Sequence, residues 1–207
     1  MANNNNAAEM NKIQIKGTAA FPKLDRPYKY DKVQKKSLPD PDGEFSVKVV
    51  VGPKEAKAYI AKIDAIAKAA GVSPAKAKNM PYAPETDKEG EETGNTVFTC
   101  KGYGTRRDGT LNSIKHWTAS GEPVDKDFRL SGGSIIRVDL WAKAFKELGG
   151  GCRLNLNAVQ VLKAIEYEAK NPFDRDEEYA NNSDDEGTDD GDAIEEGNAD
   201  IDDEKDF

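Results

Sequence analysis

Apolar and polar positions alternate along much of this chain, and the places where the alternation holds, breaks or changes period predict its elements. Ile13 and Ile15 open a stretch to Ala20 that alternates well enough for a first strand. The segment from Pro22 to Gly43 has four prolines and no sustained period, which predicts a loop with short extended pieces; Lys29, Lys32, Lys35 and Lys36 make its middle basic. Phe45, Val47, Val49 and Val51 then alternate with Ser46 and Lys48, the period of a half-buried strand. From Pro53 to Ala70 the period lengthens. Ala56, Tyr59, Ile60, Ile63, Ala67 and Ala70 recur at steps of three and four, with Pro53 suited to a first helical position and Gly71 to the stop, so an amphipathic helix is expected.

Met80 to Glu92 reads as a loop, after which NTVFTCKGYG resumes strand character. Asp108-Gly109 favours a tight turn in which glycine takes a positive φ, so 96–106 and 111–119 are expected to form a hairpin with Arg106 and Arg107 at its tip. SGGSIIRVDLWAKAFKE and GCRLNLNAVQVLKAIE read as two long strands joined at Gly149-Gly150-Gly151. Five or more strands and one helix, with strand pairs close in sequence, predict a mainly β protein: a compact antiparallel sheet or barrel, with a sandwich as the alternative. The OB-fold is one small barrel of this size, and its outer face binds single strands and oligosaccharides. The expected organisation is a disordered Asn-rich start (1–11), a folded body (12–170) and an acidic tail (171–207).

Composition sharpens this picture in one respect. The formal net charge of -8 averages two unlike parts. Residues 171–207 hold 17 acidic and two basic side chains, a net -15; the 21 acidic and 28 basic side chains before them give +7. The tail has too few apolar residues to offset the entropy of ordering repelling carboxylates, so disorder is expected there. No EF-hand loop can be drawn through its acids. No apolar run approaches the ~18 residues that a membrane-spanning helix needs, and MANNNNAAEM has neither the basic flank nor the apolar stretch of a signal peptide. The expected location is therefore cytoplasmic. Cys100 and Cys152 fit no zinc spacing and are expected as buried thiols.

Candidate chemistry lies on the strand faces. From Ile135 onward one parity is Ile136, Val138 and Leu140, and the other is Ile135, Arg137, Asp139, Trp141, Lys143 and Phe145. The second face interleaves rings with cations, which suits a single-stranded nucleic acid: bases stack on rings at about 1–3 kcal/mol each, and cations neutralise phosphates. In the next strand Leu154, Leu156 and Ala158 share one parity, leaving Arg153, Asn155 and Asn157 on the other. Lys101 and Tyr103 share a parity close to Arg106 and Arg107. The bland alternative is that Trp141 and Phe145 pack into a core or subunit interface and the cations form a solvated face.

Signals for catalysis are poor. No P-loop, dinucleotide fingerprint or nucleophile elbow is present. The single histidine, His116, sits beside Trp117 with no motif around it, which favours a surface or packing role. Asp125 and Asp139 could serve a magnesium-dependent phosphodiesterase, but no spacing singles them out. The expectation is a protein that is not an enzyme and has neither metal nor cofactor; an RNA chaperone, a phosphodiesterase and a tail-mediated adaptor are the alternatives.

The basic body, the NMPYAP loop, the VFTCKGYG strand, the SGGSIIRVDLWAKAFKE strand with its glycine turn, and the acidic tail ending in Asp206-Phe207 together resemble the single-stranded DNA-binding proteins of T7-like phages. The resemblance implies an OB-fold that coats single-stranded DNA during replication, recombination and repair, promotes annealing and pairs as a homodimer. Phe145 falls where the family has a stacking aromatic, and Phe207 matches its terminal aromatic; the family's second ring, two residues on, is replaced here by Glu147. The expected DNA-binding set, read from the strand faces and the turn with Phe145 also matched by the resemblance, is Lys101, Tyr103, Arg106, Arg107, Arg137, Trp141, Lys143, Phe145 and Arg153. The implied partner-binding tail is Asp202, Asp203, Glu204, Asp206 and Phe207, which would contact phage DNA polymerase and helicase-primase and compete with DNA for the basic groove. In the usual OB order the helix follows the third strand, whereas the periodicity here puts it after the second.

Overall fold

The computed structural model describes residues 11–124 and 128–165. Strand β1 (Lys12–Asp31) is followed by β2 (Lys36–Pro39), β3 (Glu44–Val51), helix α1 (Pro53–Ala69), β4 (Tyr82–Thr86), β5 (Glu92–Tyr103), β6 (Lys115–Trp117), β7 (Ile135–Phe145), a short 3-10 turn (Glu147–Gly149) and β8 (Gly151–Lys163). Neighbours run β5-β3-β1-β7-β8, and β8 pairs in turn with β5, so these five strands close into a barrel. The first four pairings are antiparallel, while the closing one sets Cys100 and Lys101 parallel to Leu154 and Asn155. This is an OB-fold, with α1 inserted after the second barrel strand as the periodicity predicts. Three short strands extend it: β4 beside β5, β6 beside β8, and β2 beside the far end of β1.

Alternation supplies the core. Ile13 and Ile15, then Phe45, Val47, Val49 and Val51, then Phe98 and Cys100, then Ile136, Val138, Leu140 and Ala142 all point inward and are buried. Each large side chain among them contributes about 1.5–3 kcal/mol by leaving water. Helix α1 starts with proline after Gly52, carries Glu55 in its first turn and Lys68 in its last, and buries Ala56, Ile63 and Ala67. Its Tyr59 meets Phe98 edge to face at 5.9 Å between ring centres, and Tyr82 of β4 approaches the same ring at 6.3 Å. The Tyr82 hydroxyl also donates to Asp64 of the helix at 2.6 Å, which ties the edge strand to it. Cys100 and Cys152 are buried free thiols, and burial raises both; Cys152 is pushed up to about 11.

Several expectations are corrected. The proline-rich segment is largely strand: β1 runs through Pro22 and Pro27 because its register against β3 shifts between Ala20 and Lys23 and again before Tyr28, and prolines are tolerated at such bulges. Its end then folds back on β2. The Met80–Glu92 loop contains β4, an edge strand that accommodates Pro84. The long hairpin over 96–119 does not form. The Asp108-Gly109 turn is present, with Gly109 at φ +80°, but antiparallel pairing stops at the Thr105–Leu111 bridge, and β6 runs parallel to β8. Finally, Ala158 faces outward. Asp139 pairs with Ala158 and Leu140 with Leu156, so Asn157 is an extra residue that reverses the parity and turns Val159 and Val161 inward. The expected ends of the chain, 1–11 and 171–207, fall almost wholly outside the described residues. No helix among the described residues is long and apolar enough to cross a membrane.

Candidate nucleic-acid interface

Strand register assembles the outer face residue by residue. Lys143 of β7 lies opposite Arg153 of β8, Trp141 opposite Asn155, and Asn155 beside Lys101 of β5. The inward neighbours of these positions are buried, so pleating turns them toward solvent. They border a groove of about 1190 Å³. Seven residues expected from the sequence line it: Lys101, Tyr103, Arg106, Arg107, Lys143, Phe145 and Arg153. Lys78, Met80, Pro81 and Leu148 complete its wall.

That wall is built by close backbone approach. The Lys78 and Asn79 amides donate to the Gly149 and Gly150 carbonyls, both at 3.2 Å, and the Cys152 amide donates to the Asn79 carbonyl at 3.1 Å. The Asn79 side chain adds a bond to the Leu148 carbonyl at 3.0 Å. A Cβ at Gly151 would collide with the Asn79 carbonyl oxygen, so only glycine lets the loop after α1 seat on the β7–β8 turn. Beyond Tyr103 the Gly104 amide donates to the Gly43 carbonyl at 2.9 Å, and a Cβ there would collide with Pro27 and the Pro41 carbonyl. Asn112 bonds the Tyr103 carbonyl at 2.9 Å and holds the Arg106–Arg107 loop against the strand end.

One acid organises the cations. Glu44 lies opposite Tyr103 in the β3–β5 register, and its two carboxylate oxygens accept from Lys101 Nζ and Arg153 Nη2, each at 2.9 Å. Partial burial pushes the Glu44 carboxyl up, but Lys101 and Arg153 outweigh that, and the net result lies below the ordinary glutamate value. So held, the Arg153 guanidinium lies over the Tyr103 ring, with its carbon 4.0 Å from the ring centre. Arg153 Nε is buried with no partner among the described residues. Six cations line the groove, Lys78 among them; against Glu147 in its rim and Glu44 beneath, they leave a net +4. Such a surface can neutralise phosphates and offer rings to bases.

Two expected residues lie elsewhere. Arg137 lines a separate groove, and Trp141, 37% exposed, flanks the first groove without lining it. Asp139 is committed to Lys12, Gln14 and Asn157. His116 is half-buried in β6; desolvation lowers its affinity for a proton and outweighs a bond to the Ile114 backbone. Among the described residues no three His, Cys, Asp or Glu side chains gather to hold a metal ion. Asp125 and the tail residues Asp202, Asp203, Glu204, Asp206 and Phe207 lie outside the described residues. The sequence reading missed Lys78, Met80, Pro81, Leu148 and Glu44. The NMPYAP loop carried the signal for Met80 and Pro81, whereas Glu44 becomes visible only through its register with Tyr103.

No protein-family model matches the chain, and no curated protein is significantly similar to it in sequence. Solved structures do resemble it. The crystal structure of gp2.5, a single-stranded DNA-binding protein encoded by bacteriophage T7, superposes with a TM-score of 0.55 at 17% identity, covering 87% of this chain and 98% of that one. The single-stranded DNA-binding protein from bacteriophage Enc34 superposes with a TM-score of 0.55 at 14% identity, over 82% of this chain and 90% of that one. The Enc34 protein in complex with single-stranded DNA gives a TM-score of 0.54 at 14% identity, over 75% and 88%. These likenesses establish a shared fold.

Proposed function

We propose that this chain binds single-stranded DNA in the groove between β5, β7, β8 and the loop after α1. The carrying observation is convergence: Tyr103, Phe145, Lys101, Lys143 and Arg153, singled out by strand parity, and Arg106 and Arg107, singled out at a turn, line one cavity. Bases stack on Tyr103 and Phe145, while Arg106, Arg107, Lys143 and Lys78 take phosphates. Lys101 and Arg153 are shared with Glu44 and contribute less net charge. The lining asparagines Asn79, Asn112 and Asn155 already spend their Nδ2 groups on backbone carbonyls, which favours a slight sequence preference. The fold it shares with phage single-stranded DNA-binding proteins supports the reading.

The finer reading follows from charge. Residues 171–207, at -15, are drawn to the basic body and weaken binding at low salt, and DNA displaces them. Once released, Asp202, Asp203, Glu204, Asp206 and Phe207 recruit replication enzymes, and coated strands anneal. The support for this is the charge asymmetry and the resemblance.

The test is fluorescence anisotropy of a labelled oligo-dT titrated with the full chain at several salt concentrations, with RNA and duplex DNA of matched sequence alongside. Saturable binding is expected, weaker for duplex, with a salt slope of about -3 if four phosphates are neutralised. A preference for RNA would reassign the groove to an RNA chaperone, and absence of binding would refute the proposal.

A further inference from the structure

A second groove of about 630 Å³ opens beyond Arg106 and Asn112, two residues that also line the first. Its floor is set by register. Arg137 of β7 pairs with Gln160 of β8, which pairs with Trp117 of β6, so cation, amide and ring stand in one row across three strands. The adjacent row is Asp139, Ala158 and Lys115, and the small Ala158 at its centre leaves the hollow. Both rows face outward because the extra residue Asn157 reverses the parity of β8.

The polar groups are held in place. Arg137 donates to Gln160 Oε1 at 3.0 Å, and Gln160 Nε2 donates to the Thr118 and Ala119 carbonyls at 3.1 and 3.2 Å. A neutral amide thus orients the guanidinium and leaves its charge uncancelled. Asp139, the one acid lining this groove among the described residues, is bound by Lys12 at 3.5 Å and Asn157 at 2.7 Å. Lys12, Arg106, Lys115 and Arg137 therefore outnumber it. A half-buried indole flanked by oriented cations fits a flat, anionic, repeating ligand.

We infer that a single strand leaving the first groove crosses Arg106 and Asn112 into this second one, where a base stacks on Trp117 and its phosphates meet Lys115 and Arg137. The inference rests on the single-strand reading of the first groove. It assigns Trp117, Lys115 and Arg137 a role that neither strand parity nor motif gave them together, and it explains why Arg137 stands apart from the other cations.

The chain has two tryptophans, so a full-length Trp141→Phe variant reports Trp117 alone. It is titrated with oligo-dT of ~4 and ~12 nucleotides, within the footprint range of OB-folds, while anisotropy of the labelled oligonucleotide reports binding independently. The long oligonucleotide is expected to quench Trp117 and the short one to quench it much less. Lys115→Gln with Arg137→Gln should lower the salt slope for the long oligonucleotide by about 0.7 per cation removed, with the short one unchanged. A long oligonucleotide that binds without altering Trp117 emission, or a double variant that weakens both lengths alike, overturns the second groove and leaves the first standing. If neither length binds, both readings fall.

Discussion

The Arg153 guanidinium lies 4.0 Å from the centre of the Tyr103 ring, and Glu44 fixes it there with a 2.9 Å bond to Nη2. A cation resting on a ring restrains that ring without enclosing it, and Tyr103 keeps 56% of its surface exposed. The stack is thus a ready platform for a base.

Tyr103→Ala and Phe145→Ala are each expected to weaken oligo-dT binding by about 1–3 kcal/mol, the worth of one stacked base. Tyr103→Phe keeps the ring and should stay near wild type. Trp141→Ala should cost less than either, because Trp141 lies outside the groove lining. Anisotropy titrations at one fixed salt concentration rank the four.

Glu44→Gln removes the groove's organising anion. The variant should bind oligo-dT more tightly at low salt, with a slope steeper by about 0.7. Stability should fall by no more than about 1 kcal/mol, since both ion pairs are partly exposed. Because the folded Glu44 value is lowered, its stabilisation is present above the ordinary glutamate range and is lost as pH falls through the lowered value. Denaturant melts between neutral pH and pH 3 should show a shallower acid loss for the variant than for wild type.

His116 gives a pH dependence of its own. Burial lowers its folded value below the ordinary histidine value of 6.5, so the unfolded chain takes up the proton first as pH drops. Stability from this group is full at pH 7.5 and declines through the histidine range. With one histidine in the chain, His116→Gln should remove that decline in thermal melts at pH 7.5 and 5.5.

Gly151→Ala tests the wall built by the loop after α1. The added methyl meets the Asn79 carbonyl, and the strain should cost about 1–3 kcal/mol of stability. Oligonucleotide binding should weaken as well, since Met80 and Pro81 move with Asn79. Gly132→Ala, whose methyl would meet only the Ala19 carbonyl oxygen at 3.9 Å, serves as the control for binding.

How far the sequence reached depended on whether geometry was local. The face shared by Lys143 and Phe145 was legible because a strand's period of two fixes which side each residue takes, and β7 keeps its period throughout. In β8 the same reasoning held through Leu156 and failed at Ala158, because one extra residue reverses parity and leaves no mark in composition. Prolines 22 and 27 argued for a loop, yet β1 carries them at register shifts where its ladder is already interrupted. The Asp108-Gly109 turn was read correctly and its strands were not, since β6 found a partner in β8, more than forty residues away. Glu44 was illegible for a related reason: it joins Lys101 of β5 to Arg153 of β8, two strands that become neighbours only when the barrel closes.

The most direct test of the groove is ultraviolet crosslinking of the full chain to oligo-dT bearing 5-iododeoxyuridine, followed by peptide mapping. The account predicts crosslinks at Tyr103, Phe145 and Met80, with Trp117 joining them on longer strands. Crosslinks confined to α1 or to the exposed Phe21, with the groove residues unmodified, would contradict it.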